Sequence, residues 1–184
     1  SGDSRTRLAR TDGIRMTTTY RDGRPGDGAA LSKLFCESFA ATFGHLYAAE
    51  DIAAFLCDKQ PEQFEAQLAN PEFAFRVAER GGALAGYIKC GPNELPLDQP
   101  EGAWELHQLY VAEAAKGQGV ADCLIEWALA EARRRGFSAL VLSVFVDNHR
   151  ARRFYDKRGF IEVGRWDFMV GNHADDDRIL RLEL

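Results

Sequence analysis

Apolar residues recur along this chain at two spacings, and each spacing predicts a different kind of element. Thr17–Tyr20 is β-prone and leads into the turn-like run Asp22-Gly23-Arg24-Pro25-Gly26. Asp27 then stands as a helix cap, after which Leu31, Leu34, Phe35, Ser38, Phe39 and Thr42 recur at helical spacing. Two further helical pieces are predicted over Glu50–Asp58 and Pro61–Leu68, with Pro61 suited to a first turn. Phe73–Ala78 and Leu84–Cys90 flank Arg80-Gly81-Gly82 and read as a hairpin; Gly91–Gly102 is a loop rich in proline and acid. Trp104–Val111 is a strand, followed by a loop holding Gly117 and Gly119. A helix with Val120, Leu124, Trp127 and Ala128 on one face then runs to about Arg135, where Gly136 ends it. Ala139–Val146 is a buried strand, Asn148–Arg158 a helix stopped by Gly159, and Phe160–Met169 and Ile179–Leu184 are the last strands. This order predicts an α/β fold with a mixed, mostly antiparallel sheet of six or seven strands flanked by helices. Residues 1–16 carry no apolar rhythm and are expected to be an N-terminal tail, with one domain over 17–184.

Composition narrows the function classes. The 184 residues carry 23 Lys and Arg against 28 Asp and Glu, a net charge of −5. Nucleic-acid binding usually shows as a basic face, and the one basic run, Arg133-Arg134-Arg135, falls at a predicted helix end, where positive charge complements the dipole. No apolar run approaches the roughly 20 residues needed to span a bilayer. The expectation is a cytoplasmic protein with no nucleic-acid or membrane partner. Cys36, Cys57, Cys90 and Cys123 are far apart and lack ligand spacing with histidine, so they are expected to be reduced core residues and not a zinc site.

The chemistry concentrates between Trp104 and Phe160. Lys116-Gly117-Gln118-Gly119 joins a strand to a helix beginning at Val120 and Ala121. Glycines there let backbone N–H groups approach an anion, the helix N-terminus adds donors and positive potential, and Lys116 adds a cation, which together suit a pyrophosphate. The third glycine of a dinucleotide fingerprint is replaced by Asp122, and no Gly-Lys-Ser/Thr follows. Strand alternation predicts Glu105, His107, Leu109 and Val111 on one face of Trp104–Val111, with Trp104, Leu106, Gln108 and Tyr110 on the other. In the helix after it, Asn148 is a candidate cap, and Ala151, Tyr155 and Arg158 share a face.

Two motifs in this order resemble the GCN5-related N-acetyltransferase (GNAT) superfamily. One is Ala114-Ala115-Lys116-Gly117-Gln118-Gly119, in which Ala114 stands where the family has Gln or Arg. The other is the full set Asn148, Ala151, Phe154, Tyr155, Gly159 and Phe160. More narrowly, Glu105–Val111, Leu142–Phe145, Phe39…Phe43…Tyr47, Glu50-Asp51-Ile52 and Val170-Gly171…Asp176-Asp177 are similar to the bacterial spermidine/spermine acetyltransferases. The resemblance implies a GNAT-like α/β/α fold, acetyl-CoA as cosubstrate without a metal, and transfer to a primary amine by direct attack. It implies Glu105 as the general base, with His107 as a second candidate or relay, and Tyr155 as the general acid toward the departing sulfur. It places acetyl-CoA against Leu109, Tyr110, Val111, Lys116, Gly117, Gln118, Gly119, Val120, Ala121, Asn148, Ala151 and Tyr155. Pairing of the pantetheine arm with Leu109 and Val111 requires a gap in the sheet beside their strand.

Phe43, His45, Tyr47 and Asp51 are candidates to line the acceptor site. Glu94, Asp98 and Glu101, or Asp175-Asp176-Asp177, are acidic loops able to attract a cation. The acceptor is expected to be a small cationic amine such as a polyamine. Acetylation of a protein lysine or N-terminus, and CoA binding without catalysis, remain open at this point, and a homodimer rests on analogy alone.

Overall fold

A computed structural model describes residues 17–184; the N-terminal tail falls outside the described residues. The chain runs β1 (Thr19–Asp22), α1 (Gly28–Phe43), a 3-10 turn at Gly44–Leu46, α2 (Ala49–Cys57), α3 (Pro61–Leu68), β2 (Ala74–Arg80) and β3 (Ala83–Pro92). It continues through β4 (Ala103–Val111), a 3-10 turn at Glu113–Ala115, α4 (Val120–Arg134), β5 (Ala139–Phe145), α5 (His149–Asp156), β6 (Ile161–Val170) and β7 (His173–Glu183). The seven strands form one sheet in the order β1-β2-β3-β4-β5-β7-β6. Every pairing is antiparallel except β4 with β5, whose crossover contains α4.

Each face of the sheet is covered by helices. On one, Val120, Leu124, Ile125, Ala128 and Ala132 of α4 pack with Ile88, Cys90, Leu106, Leu140 and Leu142. These α4 positions follow the three- and four-residue rhythm of a single helical face. On the other face, Leu31, Leu34, Phe35 and Phe39 of α1 and Phe64 of α3 pack on Phe75, Val77 and Tyr87. A smaller cluster forms where Leu95, from the loop before β4, meets Ala103, Val141 and Ile179.

Four details differ from the sequence-based expectation. β7 starts at His173 and not near Ile179, so Asp175-Asp176-Asp177 lies within a strand. Aspartate is a poor strand former, but all three pair with β6, while Asp177 also pairs with β5 and Asp176 O accepts the Val146 N–H at 2.9 Å. Asp27 occupies the N-cap position without capping; its carboxylate takes a two-pronged bond from Arg21 (2.8 and 2.9 Å) and the Arg24 N–H (2.9 Å). Of the four cysteines only Cys90 is buried; Cys36 is half-buried, and Cys57 and Cys123 are exposed.

The fourth difference bears on chemistry. Gln108 pairs with Lys89 and Leu106 with Cys90, leaving His107 as an extra residue in β4. This bulge resets the alternation. Trp104, Leu106, Leu109 and Val111 all join the α4-side core. On the other face Tyr110 packs with the α1 cluster, Gln108 accepts a 2.8 Å bond from Tyr87 Oη, and His107 lies 5.9 Å from the ring of Phe73. Glu105 and His107 share a face as expected, but Leu109 and Val111 lie on the opposite one.

Candidate active site

The site begins where the sheet splits. β4 and β5 are paired only at Ala103–Ala139, Trp104–Leu140 and Glu105–Val141. Beyond Glu105 they diverge, so among the described residues the edge of β4 from Leu106 to Val111 has no partner strand on that side. The N–H of Ala112 donates to Ala85 O on the β3 side at 2.9 Å. Backbone groups of an antiparallel pair alternate in direction, so the N–H and C=O of Val111 and Leu109 face the split. The resulting cleft holds about 390 Å³. Leu109, Tyr110, Val111, Lys116 and Ala121 line it from one side, and Asn148, Ala151 and Tyr155 from the other.

Next to this wall, Gly117 (φ 73°) and Gly119 (φ 79°) take left-handed conformations that lead directly into α4. No heavy atom lies within 4 Å of where a Cβ would stand on either residue, so the turn presents open backbone. The Gln118 side chain is tied back, donating to Ala114 O at 2.8 Å and accepting from Arg80, which leaves its backbone for a ligand. Val120 is buried in the α4 core and has only its backbone to offer. Lys116 Nζ rests on Glu113 at 2.5 Å, and Arg150, which the sequence reading passed over, adds a second cation to the cleft wall. Glycine amides, a helix N-terminus and two cations fit a pyrophosphate, and the bare edge of β4 fits an amide-bearing arm. These features suit acetyl-CoA, which supplies an acetyl group activated as a thioester.

Asn148 caps α5, its Oδ1 accepting the Ala151 N–H at 3.2 Å. That cap and the rings of Phe154 and Phe160, 5.2 and 5.4 Å from Tyr155, fix the tyrosine on the cleft wall. Burial pushes its hydroxyl well above the usual tyrosine range, so it is a proton donor at neutral pH. It makes no side-chain hydrogen bond among the described residues.

Glu105 is placed differently. It does not line the cleft: Oε2 accepts the Glu94 N–H at 2.7 Å and Oε1 faces His107 Nδ1 at 3.3 Å. His107 does line the cleft, but its Nε2 donates to Pro92 O at 2.9 Å. A carbonyl only accepts, so that nitrogen carries hydrogen and Nδ1 of the neutral ring is bare. Burial pushes Glu105 up to about 7, while burial and the Lys89 ammonium hold His107 down to about 4. The 3.3 Å approach is a close contact and not a hydrogen bond; near neutral pH the ring is uncharged and Glu105 is the member of the pair that titrates.

The far end of the cleft is aromatic and acidic. Phe39, Phe43, Tyr47, Phe145 and Phe168 wall it, with Phe39 stacked on Tyr47 at 6.1 Å and Phe145 edge-on to Phe43 at 6.4 Å. Asp175 and Asp177 open into it, only 5% and 6% exposed. Tyr47 Oη donates to Asp175, and His173 Nε2 lies 3.3 Å from the other oxygen. Asp177 is pushed up to about 7 by burial, with Asp175 and Asp176 adding and the Ser143 hydroxyl opposing. Among the described residues neither carboxylate has a Lys or Arg within 4.0 Å, whereas Asp176, on the outer face, pairs with Arg165 and Arg178. Of the acceptor-side candidates, Phe43 and Tyr47 reach the cleft; His45, Asp51, Glu94, Asp98 and Glu101 do not. Strand periodicity through the aspartate run was the signal that separates Asp175 and Asp177 from Asp176.

Residues 31–160 match the acetyltransferase (GNAT) family. The chain belongs to that family and is an acetyl-CoA-dependent N-acetyltransferase. It is 28% identical over 151 residues to an uncharacterised N-acetyltransferase of Lactobacillus delbrueckii subsp. lactis, covering 80% of this chain and 87% of that one. A Mycobacterium bovis N-acetyltransferase, also uncharacterised, is 29% identical over 159 residues, covering 86% and 98%. Among solved structures, the PaiA N-acetyltransferase of Thermoplasma acidophilum in complex with coenzyme A superposes with a TM-score of 0.74 at 20% identity, covering 92% of this chain and all (100%) of that one. YncA of Salmonella typhimurium, a putative acetyltransferase with acetyl-CoA, gives 0.69 at 22% identity, covering 91% and 94%. These likenesses agree with the seven-stranded, mostly antiparallel sheet. No helix among the described residues is long and apolar enough to cross a membrane, and no group of three or more His, Cys, Asp or Glu there is placed to hold a metal.

The buried carboxylates have a measurable cost. Asp177 binds its proton more tightly folded than unfolded, where a carboxyl of this type titrates near 3.8. Its contribution to stability is therefore fully present below about pH 4 and is lost as pH rises through about 7. Asp177→Asn is expected to unfold at a higher temperature than the parent at pH 8, with the gap closing toward pH 4; thermal melts across that range check this.

Proposed function

We propose that this enzyme acetylates a primary amine of a small cationic acceptor, with a polyamine the foremost candidate. The observation that supports this is the pair Asp175 and Asp177, buried at the end of the cleft with no Lys or Arg among the described residues within 4.0 Å and only His173 beside Asp175. An uncompensated buried carboxylate is costly, and an ammonium ligand relieves that cost. Aromatic faces beside it favour the same ligand through cation–π attraction, by about 0.5–2 kcal/mol per contact. A polyamine carries one ammonium to be acetylated and others for the remaining carboxylate and the rings.

In this reading the glycine turn, Lys116 and Arg150 hold the pyrophosphate of acetyl-CoA. The edge of β4 at Leu109 and Val111 pairs with the pantetheine arm; because the pyrophosphate turn follows Val111, the thioester end lies toward Leu109, whose backbone N–H is the donor for the acetyl carbonyl oxygen. Tyr155 supplies the proton that the departing sulfur needs. Glu105 stands behind the wall, anchored on the Glu94 N–H, while His107 at the bulge reaches the wall and is tied to Pro92 O; these bonds keep β4 in the register that exposes this edge.

Two experiments test the reading. Thiol release from acetyl-CoA is expected with spermidine and spermine and far less with neutral or anionic amines; preference for an amino acid or a lysine peptide would contradict it. Tyr155→Phe is expected to lower kcat by roughly 10²-fold while acetyl-CoA affinity measured by titration calorimetry stays unchanged. Unaltered turnover would remove Tyr155 from the chemistry.

A further inference from the structure

The proton that an ammonium must lose before it can attack needs an acceptor inside the cleft, and the residues there differ sharply in fitness. His107 has one ring nitrogen engaged on Pro92 O, and its other nitrogen is turned toward Glu105 Oε1 at 3.3 Å. Both Glu105 oxygens point inward, to the Glu94 N–H and to His107, and its side chain is not on the cleft wall. Asp175 is held from both sides, by Tyr47 and His173. Asp177 is on the wall and, among the described residues, its carboxylate is tied by no hydrogen bond of ordinary geometry, though the Ser143 hydroxyl is near enough to favour its ionised form.

Strand geometry places Asp177 close to the split. Ser143 on β5 pairs with Ile179, and Phe145 with Asp177. The vertex of the split is the pair Glu105–Val141, so Ser143 is two residues beyond it and is the first β5 side chain past the vertex on this face. Asp177, opposite Phe145, therefore lies past the vertex on the wall of the cleft that Ser143 and Tyr155 also line. Along β7, His173, Asp175 and Asp177 share the inner face at two-residue spacing, and His173 is half-exposed, with its side chain 49% accessible. A row of titratable groups thus leads from the split to solvent.

From this geometry we infer that Asp177 is the general base of the reaction: it receives the proton of the acceptor ammonium and releases it along Asp175 and His173 to water. This rests on the cationic-amine reading above. One proton passes from the ammonium to the Asp177 carboxylate. The freed nitrogen lone pair forms the C–N bond to the acetyl carbon as the C–S bond breaks. The sulfur takes the Tyr155 proton, and Tyr155 is restored by the second proton of the nitrogen. One acetamide, one thiol and one released proton balance the reaction.

The groups that bear on Asp177 are known. Asp175 and Asp176 on its own strand raise its proton affinity, and Ser143 on β5 lowers it. Tyr110 of β4 and Tyr47 after α1 lie within its electrostatic reach, both as neutral hydroxyls. Arg178, next in sequence, is turned to the outer face onto Asp176 and Glu162. No cation among the described residues competes with the substrate for Asp177.

The test is a pH profile of kcat and KM for the parent, Asp177→Asn, Asp177→Glu and Ser143→Ala, with the best acceptor of the amine panel and its fluorinated analogue, which is already neutral at pH 8. The parent is expected to lose activity below a limb near pH 7. Asp177→Asn is expected to lose roughly 10²-fold or more in kcat and to lose the limb, with acetyl-CoA binding retained, and to lose far less with the fluorinated amine. Asp177→Glu should recover part of the rate together with a limb. Ser143→Ala removes a hydroxyl that favours the ionised form, so its limb should move to higher pH; this variant keeps the test decisive if Asp177→Asn does not fold. Asp177→Asn with near-parental kcat, a raised KM and an intact limb would overturn the assignment and leave Asp177 as a binding residue. A parent inactive toward every cationic amine would instead defeat the reading of the acceptor, a separate outcome.

Discussion

Two parallel strands that stay together for only three residue pairs determine the rest of this protein. A parallel ladder is normally continuous and buried on both faces. Here β4 and β5 part after Glu105 and Val141, leaving backbone amides of β4 open in the middle of the sheet. Exposed edge groups invite another extended chain, and in the proposed reading that chain is the pantetheine arm of acetyl-CoA. The split endures because each strand is anchored elsewhere: β4 along β3, and β5 along β7 over seven paired positions, from Ala139 to Phe145. The α4 core spans both arms, with Leu106 on one side and Leu140, Leu142 and Val144 on the other.

The split also sorts the polar groups. The donor side gathers positive potential from glycine amides, the α4 N-terminus, Lys116 and Arg150. The acceptor side gathers carboxylates that the fold holds out of water. Burial raises Glu105 and Asp177 to about 7 in both cases, but to different ends. Glu105 faces inward and completes its bonds within the protein, so it steadies the bulge that aims β4. Asp177 faces the cleft with no salt bridge to a Lys or Arg among the described residues, which leaves its carboxylate open to a ligand. Lys89, buried between Phe64 and Phe73 and held down to about 8, adds positive charge that keeps His107 neutral beside Glu105.

Much of this was legible in the sequence wherever the signal was local. Gly117-Gln118-Gly119 before α4, and Asn148 with Ala151 in α5, announce the open turn and the helix cap within a dozen residues. The helices of the acceptor side and six of the seven strands follow from apolar spacing, β7 only in its second half. The missed features depend on pairing. The bulge at His107 arises from register against β3, and it moved Leu109 and Val111 to the opposite face from Glu105. The start of β7 is hidden because three aspartates resemble a solvated loop; only pairing with β5 and β6 makes them a strand, and strand alternation then turns Asp175 and Asp177 inward. The inward turn of Glu105 depends on Glu94 N–H, which belongs to a loop no periodicity describes.

The most direct test of the account is amide hydrogen exchange with and without acetyl-CoA. Protection is expected to rise at Leu109 and Val111, whose N–H groups face the split, and at Gly117–Ala121, with little change at Tyr110, whose N–H is already committed to β3. Protection confined to another surface, or none along β4, would mean that the split between β4 and β5 is not where acetyl-CoA is bound.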